Sequence, residues 1–329
     1  MKISLIGGSG FIGQFLIPLL AKQNHIVEII DIQPPPIHPH SYHHADIRKI
    51  DELSLSINNI DILINLAAVH RDDVVPKKLY REVNVEGSSN LCKVASQKQI
   101  NHIVFISSVA VYGFPGPHTN EKSTLRPFNE YGITKANAEK VFTSWQRESP
   151  AERILTIIRP TVVFGPGNRG NVFNLMKTIA SGKFIMIGNG QNKKSMAYVE
   201  NVAAFISYLI NNTKPGIHIY NYTDKPDLSM NELIKTVNLA LGKSPRITFK
   251  IPYYVGLFAG YISDLSQTLL RIPMPISSIR VKKFCASTTF DTEVDTNGFI
   301  PVLTLKEGLS KTIEHEFLRE RIGPTPKTG

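Results

Sequence analysis

A glycine-rich turn between two apolar segments constrains the fold of this chain more than any other feature. Residues 2–6 have the composition of a buried strand. Gly7, Gly10 and Gly13 follow, and the apolar residues after the turn recur at helical spacing: Phe11, Ile12, Phe15, Leu16, Leu19 and Leu20. The first 20 residues therefore predict a strand, a tight turn and a helix in succession.

The same alternation of strand and helix continues along the first half of the chain. Short apolar segments at residues 26–31, 62–66, 103–107 and 154–158 predict strands, and a helix is expected over 136–147 with Lys135 in its first turn. This order favours an α/β fold, a Rossmann-like, doubly wound parallel sheet with right-handed crossovers.

The spacing of the three glycines suits a dinucleotide. It lets the backbone approach a pyrophosphate at the positive end of the following helix. Asp31 lies 18 residues beyond Gly13, where a carboxylate accepts hydrogen bonds from ribose hydroxyls and repels a 2′-phosphate. No Arg or Lys occurs in residues 32–47. We therefore predict NAD rather than NADP as cofactor; the alternative is that Asp31 only ends its strand.

Tyr131 and Lys135 are predicted to move a proton beside the cofactor. Four residues apart at the start of a helix, they share one face. A tyrosine with a pKa of about 10 is ionised to about one part in a thousand at pH 7, so roughly 4 kcal/mol of phenolate stabilisation makes it a base. A Lys ammonium and a positive nicotinamide ring supply this stabilisation. Ser107 and Ser108 end a predicted strand, where parallel sheets have their active sites.

Several short strings together resemble the extended short-chain dehydrogenase/reductase family, in its NAD-dependent sugar epimerase and dehydratase branch. They are residues 7–13, Asp31, 45–47, 65–68, 107–113, Tyr131 with Lys135, and 159–160. The resemblance implies Tyr131 as base, Lys135 on the nicotinamide ribose and Ser108 on the reacting oxygen. It also implies Asp46 and Ile47 around the adenine. The predicted cofactor-binding residues are thus Gly7, Gly10, Phe11, Ile12, Gly13, Asp31, Asp46, Ile47, Ala67, Tyr131 and Lys135.

Longer and more specific strings occur at residues 70–74, 168–172, 194–199, 220–228 and 280–286. They resemble the family of bacterial 4-epimerases of undecaprenyl-diphosphate-linked N-acetylglucosamine, which start O-antigen repeats in lipopolysaccharide biosynthesis. This implies interconversion with the N-acetylgalactosamine form through a transient 4-keto sugar, the NAD staying bound. Candidate substrate-binding residues are His70, Arg71, Asn171 and Lys194. For His70, Arg71 and Lys194 the alternative is a solvated loop charge.

Other functions share parts of this pattern. A UDP-N-acetylglucosamine or UDP-glucose 4-epimerase would have the same catalytic residues, as would a nucleotide-sugar 4-ketoreductase that releases oxidised cofactor. A non-catalytic dinucleotide-binding regulator needs no base, so the set of Ser108, Tyr131 and Lys135 argues against it. Residues 194–196 and 159–161 differ from the Arg-Asp-Phe and Arg-Tyr-Phe-Asn strings that soluble UDP-sugar epimerases often show. This difference favours the lipid-linked substrate.

The domain organisation follows from where the alternation loosens. We expect residues 1–165 to form the NAD-binding domain, with residues from about 191 to 220 returning to it. Residues 166–329 are then mainly a smaller C-terminal substrate-binding portion.

Basic charge is concentrated in one stretch of the substrate-binding portion, residues 241–283. The chain carries a net charge of +10, and this stretch holds seven basic residues and one acid, Asp264. Aromatic and aliphatic residues lie between the basic ones, a composition that suits an anionic membrane surface. The alternative is a core helix with a solvated basic rim. We expect a protein peripheral to the inner face of the bacterial cell membrane, without a nucleic-acid partner, and the resemblance implies a homodimer.

Cysteine and histidine spacing predicts neither a disulfide framework nor a metal site. Cys92 and Cys285 are isolated, and His38, His40, His43 and His44 follow Pro36 with no acid or Cys to complete a ligand set. We therefore predict a surface loop there. No apolar run reaches the roughly 20 residues that span a bilayer. Together these features favour a cytoplasmic protein.

Overall fold

The structure is a computed structural model that describes residues 1–36, 41–71, 73–116, 118–246, 249–270, 277–294 and 298–318. Its helices are α1 (Phe11–Lys22), α2 (Ile50–Ser56), α3 (Lys78–Arg81), α4 (Gly87–Gln97), α5 (Glu130–Arg147), α6 (Asn171–Ala180), α7 (Val199–Asn212), α8 (Met230–Ala240), α9 (Tyr253–Leu270), α10 (Ser278–Cys285) and α11 (Leu305–Ile313). Its strands are β1 (Lys2–Ile6), β2 (Ile26–Asp31), β3 (Ser41–His44), β4 (Ile62–Asn65), β5 (His102–Ile106), β6 (Ile154–Pro160), β7 (Val162–Phe164), β8 (Met186–Ile187), β9 (Lys193–Lys194), β10 (Met196–Tyr198), β11 (Gly216–Tyr222), β12 (Leu228–Ser229) and β13 (Lys250–Ile251). Two compact units share these elements, the first formed by residues 1–163, 197–223 and 290–302 and the second by the remainder.

The first unit is built on a parallel sheet in the order β11-β6-β5-β4-β1-β2-β3. Ile3 of β1 pairs with Val27 of β2 on one side and with Ile62 of β4 on the other. The chain therefore leaves β1 in one direction through β2 and β3 and returns to its other side at β4. Ligands of open α/β sheets bind at the carboxyl ends of the strands beside such a switch point. The predicted Rossmann-like fold is confirmed.

Helices cover both faces of this sheet because its strands are apolar on both sides. On one face α1 and α7 bury residues such as Leu16 and Phe205 against β1, β2 and β4. On the other face α2, α4 and α5 bury residues such as Leu91 and Phe142. Burial of each such side chain contributes about 1.5–3 kcal/mol, so the sheet is a rigid support for the loops at its edge.

The predicted strands lie within one or two residues of the observed ones, and β2 has the predicted bounds. The surface loop predicted around the histidines is wrong at His43 and His44. These residues belong to β3, an edge strand in which Tyr42 pairs with Ile29 of β2. The strand contacts a single neighbour and its residues stay partly exposed, so it carries no apolar pattern. His38 and His40 lie outside the described residues.

The helix predicted over 136–147 begins at Glu130, which agrees with the shared face expected of Tyr131 and Lys135 at its start. Asn129 caps α5 by accepting a hydrogen bond from the Gly132 amide at 2.9 Å. Tyr131 therefore lies in the first turn of α5, and Lys135 lies in the second turn rather than the first.

The second unit contains α6, α8, α9, α10 and α11 and two short strand pairs, β12 with β9 and β13 with β8. Within the described ranges, none of the helices is both long and apolar enough to cross a bilayer. The core-helix alternative for the basic apolar segment is wrong for Tyr254, Phe258 and Leu265 of α9, whose side chains are exposed. Arg271 of that segment lies outside the described residues, as do the side chains of Leu269 and Leu270.

Candidate active site

The glycine turn is closed by contacts that exclude any larger side chain. Gly7 has a φ of +77°, and a Cβ there would lie 2.5 Å from the Ala67 amide nitrogen. A Cβ at Gly13 would lie 2.0 Å from the Gly8 carbonyl oxygen. The turn leads into α1 at Gly10, where no side chain caps the helix and its first turn carries no acid. The backbone amides at this helix start, at Phe11, Ile12 and Gly13, thus present a positive end suited to a pyrophosphate.

Asp31 lies beside this turn although 18 residues separate it from Gly13. Its carboxylate accepts hydrogen bonds from the amides of Ser9, at 3.1 Å, and Gln33, also at 3.1 Å. The fold thus brings together the two features from which NAD was predicted. Ala67 follows β4 on the other side of Gly7, and its amide donates to Asn65 Oδ1 at 3.1 Å.

Asp46 and Ile47 have different surroundings. The Arg48 guanidinium binds the Asp46 carboxylate through Nε at 2.9 Å from Oδ2, and this hydrogen bond holds the pKa of Asp46 below its ordinary value. Ile47 is buried in the core, where a Cβ on Gly87 would lie 2.8 Å from its Cγ2. Sequence reasoning did not identify Arg48, which immediately follows residues 32–47, the stretch that contains no Arg or Lys. The roles of Asp46 and Ile47 at the adenine remain predictions.

Tyr131 and Ser108 are hydrogen-bonded neighbours. Burial raises the pKa of the Tyr131 phenol to about 12, and the hydrogen bond with the Ser108 hydroxyl opposes this rise. Ser108 is itself held in place because its oxygen accepts a hydrogen bond from the Ala110 amide at 3.1 Å. The chain alone therefore keeps the phenol protonated at neutral pH.

Lys135 is buried beneath the carboxyl end of β5. Its Nζ donates to the Ile106 carbonyl oxygen at 2.6 Å and lies 4.5 Å from the centre of the Phe105 ring. Burial lowers the pKa of Lys135 to about 7, and the negative charge of Glu139 acts against this decrease. The ammonium has three donors, and the Ile106 carbonyl takes one of them. The remaining donors suit the hydroxyls of a ribose.

A buried polar network that the sequence analysis missed lies behind Lys135. Glu139 accepts a hydrogen bond from Ser107 Oγ at 2.5 Å and pairs with Arg159 through Nε at 2.9 Å and Nη2 at 2.6 Å. Arg159 Nη1 also donates to the hydroxyl of Tyr112 at 2.6 Å, which donates in turn to Asn221 Oδ1 at 2.7 Å. Glu139 follows Lys135 by four residues, and this helical spacing was the available signal.

Of the predicted substrate residues, His70 and Arg71 lie in the first unit, on the loop after β4. Both are exposed, and Arg71 pairs with Asp73, whose Oδ2 lies 3.0 Å from Nη2. Asn84 fixes the start of this loop, since its side chain binds both the amide and the carbonyl of Val69, at 2.8 and 3.0 Å. It also donates to Thr134 Oγ1 of α5 at 3.0 Å, which ties the loop to the helix of Tyr131.

The other two predicted substrate residues belong to the second unit. Asn171 is exposed at the first position of α6. Lys194 is half-buried in β9, where its Nζ donates to the carbonyls of Lys283, at 2.9 Å, and Ala286, at 2.6 Å. Burial lowers the pKa of Lys194. The solvated-loop alternative is therefore wrong for Lys194, because its charge binds the carbonyl end of α10.

Across the described ranges, no group of three or more His, Cys, Asp or Glu side chains is arranged to hold an ion.

A family model decides the assignment of the chain. The model of the NAD dependent epimerase/dehydratase family matches residues 3–222. The chain belongs to this family. The NAD prediction is thereby confirmed, and the residues present fit the cofactor: a glycine cradle that a Cβ would fill, Asp31 beside it, and a buried ammonium with donors to spare.

Relatives of this NAD-dependent epimerase/dehydratase cover nearly the whole chain. It is 43% identical to N-acetyl-α-D-glucosaminyl-diphospho-ditrans,octacis-undecaprenol 4-epimerase of Escherichia coli O157:H7, over 97% of this chain and 96% of that protein. It is 27% identical to UDP-glucose 4-epimerase of Vibrio cholerae, over 95% and 94% of the two chains.

Solved structures share the fold. UDP-N-acetylglucosamine 4-epimerase from Bacillus cereus superposes with a TM-score of 0.74 at 16% identity, over 95% of this chain and 98% of that one. UDP-glucuronic acid 4-epimerase from Bacillus cereus in complex with NAD gives 0.73 at 20% identity, over 96% and 98%.

Proposed function

We propose that this protein is an NAD-dependent 4-epimerase that interconverts N-acetylglucosamine and N-acetylgalactosamine linked to undecaprenyl diphosphate. The observation that carries the proposal is the 43% identity to the Escherichia coli enzyme of that name over 97% of the chain. The hydrogen-bonded pair of Ser108 and Tyr131, with Lys135 one helical turn away, supports it. By its chemistry, such an enzyme belongs to O-antigen and lipopolysaccharide biosynthesis.

In the proposed cycle, the Tyr131 phenolate takes the proton of the C4 hydroxyl while Ser108 holds the oxygen. Bound NAD supplies the hydride acceptor for C4 and later the hydride donor. The 4-keto sugar then turns over about its bonds to the diphosphate, and Tyr131 returns the proton to O4 when the opposite face of C4 is reduced. Each atom removed in the first half-reaction returns in the second, so no external reductant is consumed.

The pKa of Tyr131 shows what the phenol needs in order to act as a base. The Tyr131 phenol has a pKa of about 12 in the protein alone, so its ionisation requires additional positive charge nearby. The Lys135 ammonium and the oxidised nicotinamide ring are the two sources of this charge. Tyr131 therefore acts as a base only when oxidised cofactor is bound.

The test offers two substrates to the purified protein without added NAD or NADH. One tube contains N-acetylglucosaminyl-diphospho-undecaprenol and the other UDP-N-acetylglucosamine, and the C4 epimer is identified in each. Conversion of the lipid alone is the expected result. Conversion of the nucleotide sugar alone would contradict the proposal and favour a soluble UDP-sugar epimerase. Turnover that appears only with added NADH would favour a 4-ketoreductase, and inactivity on both would favour a non-catalytic NAD-binding protein.

We further propose that His70, Arg71, Asn171 and Lys194 contribute to substrate binding, with the second unit as the substrate-binding portion. A lipid-linked substrate lies at the membrane surface, so we propose a protein peripheral to the inner face of the cell membrane. A homodimer, expected from the family resemblance, is checked by light scattering after gel filtration.

A further inference from the structure

Helix α9 of the second unit presents its large apolar side chains to solvent. Tyr254 is 80% exposed, Phe258 66% and Leu265 60%, although Phe and Leu are residue types that usually lie inside. The exposed stripe follows helical spacing, and at about 100° per residue it covers about 120° of the helix. Its members are Tyr254, Val255, Phe258, Tyr261, Ile262 and Leu265, which we call the α9 stripe.

The opposite face of α9 carries small residues and is buried. A Cβ added to Gly256 would lie 2.5 Å from Ile187 Cγ2, and one added to Gly260 would lie 2.8 Å from the Ser278 backbone. Ser263, on the same face, is also buried. An ordinary surface helix packs its large apolar residues against the core. Helix α9 does the opposite, because its small residues face the core and its large apolar residues face the solvent. Turning α9 to bury the stripe would remove these close contacts.

Positive charge borders the α9 stripe. Lys282 of α10 lies with its Nζ 5.4 Å from the centre of the Tyr261 ring, and Lys283 and Arg280 of the same helix are exposed. Lys250 is exposed on β13, three residues before α9. Asp264 is the one acid in residues 241–283, and its carboxylate faces inward, accepting from the Ser278 amide at 3.1 Å.

We propose that the α9 stripe is the surface by which this protein docks on an anionic lipid bilayer. The stripe enters the boundary of the acyl chains, and Lys250, Lys282 and Lys283 contact the head groups. A second copy of the chain would cover the α9 stripe less favourably than an anionic bilayer. In a symmetric dimer both copies would bring the same basic residues to one interface, and residues 241–283 offer no acid except the inward-facing Asp264 to pair with them, whereas anionic lipid neutralises them. The inference rests on the proposed function in one respect: a lipid-linked sugar substrate lies at the membrane, where a docked enzyme would meet it.

Vesicle sedimentation with the full-length protein tests the inference. Vesicles of phosphatidylcholine mixed with phosphatidylglycerol should bind the protein, and vesicles of phosphatidylcholine alone should bind it less. Added salt should weaken binding, since it screens the basic border. A variant with both Phe258→Ser and Leu265→Ser should bind at least about tenfold more weakly, because each substitution removes an apolar side chain from the bilayer.

Leu55→Ser is the matched control, since Leu55 is 80% exposed on α2 of the first unit. It should bind vesicles like the natural protein. Equal binding by the double variant, with its circular dichroism and bound NAD unchanged, would overturn the inference. Loss of a dimer in the double variant, without loss of vesicle binding, would assign the stripe to a second copy instead. Vesicle binding requires no turnover. A protein that does not bind vesicles could therefore still catalyse the proposed reaction, and a protein that does not catalyse the reaction could still dock through the α9 stripe.

Discussion

Replacement of Glu139 by Gln tests whether the buried network behind Lys135 tunes the proposed catalytic pair of Tyr131 and Lys135. The carboxylate of Glu139 is 5% exposed and binds an Arg159 side chain that is 4% exposed. Gln keeps the shape and one acceptor but directs an NH₂ group at Ser107 or Arg159 and leaves the guanidinium without its counter-charge. Breaking a buried pair in this way costs about 3–5 kcal/mol of unfolding free energy. Because one acceptor remains, we expect a loss at the lower end, about 3 kcal/mol.

The same substitution should change the pH dependence of turnover. Residues four apart on a helix have Cβ atoms about 6 Å apart, and unit charges at that distance interact by about 3 kcal/mol at an effective dielectric constant of ~20. This corresponds to roughly two pKa units. Arg159 is charged in both proteins, so it does not change this difference. Glu139 raises the pKa of Lys135, so its removal lowers that pKa from about 7. Lys135 then loses its proton at lower pH.

Initial rates of epimerisation measured across the neutral pH range should show this directly. The alkaline limb of kcat should move to lower pH by up to roughly two pH units, since Lys135 becomes neutral at lower pH and then no longer stabilises the Tyr131 phenolate. Glu148→Gln is the control: Glu148 also pairs with an arginine, Arg153, at 2.7 Å, but is 63% exposed. It should change unfolding free energy by less than about 1 kcal/mol and leave the pH profile unchanged. A Glu139→Gln profile that coincides with the natural one would refute the tuning role and leave a purely structural pair.

Three further substitutions probe the proposed base and the proposed cofactor-binding residues. Tyr131→Phe should lower kcat by about 10²–10⁴-fold while NAD, released by denaturation and quantified, remains bound; undiminished activity would contradict the role of the phenol. Gly13→Ala should abolish NAD retention, since its Cβ would lie 2.0 Å from the Gly8 carbonyl, whereas Gly116→Ala, with nothing within 4 Å, should retain it. Asp31→Asn should raise the affinity for NADP relative to NAD in titrations of cofactor-free protein, because the charge that repels a 2′-phosphate is gone; an unchanged ratio would assign Asp31 to ending β2 alone.

Local patterns were sufficient to predict the elements that carry the cofactor site. The glycine turn, the helix after it and the bounds of β2 depend on residues within one or two turns of each other, so the sequence contains their signals directly. The spacing of Tyr131 and Lys135 likewise depends on a single helix. The range 136–147 began too late for α5 because the signal of its start is the side chain of Asn129, a cap that lies before the apolar pattern.

Features that depend on distant parts of the chain were not predictable in this way. Strand β3 exists because β2 offers an unpaired edge, and no apolar alternation marks it. The pairing of Glu139 with Arg159 joins α5 to the end of β6, and each residue alone has the composition of a surface charge.

The sequence by itself determined the fold and the glycine turn, and it supplied the prediction of the catalytic residues, because these are encoded in short periodicities and in strings shared with a family. Only the tertiary structure decided that Lys135 is buried within the electrostatic influence of Glu139 and that α9 turns its aromatic residues outward. The physical reason is that burial belongs to the packed molecule. Glycine at 256 and 260 lets α9 approach its neighbours on one face, and the large side chains on the other face remain exposed.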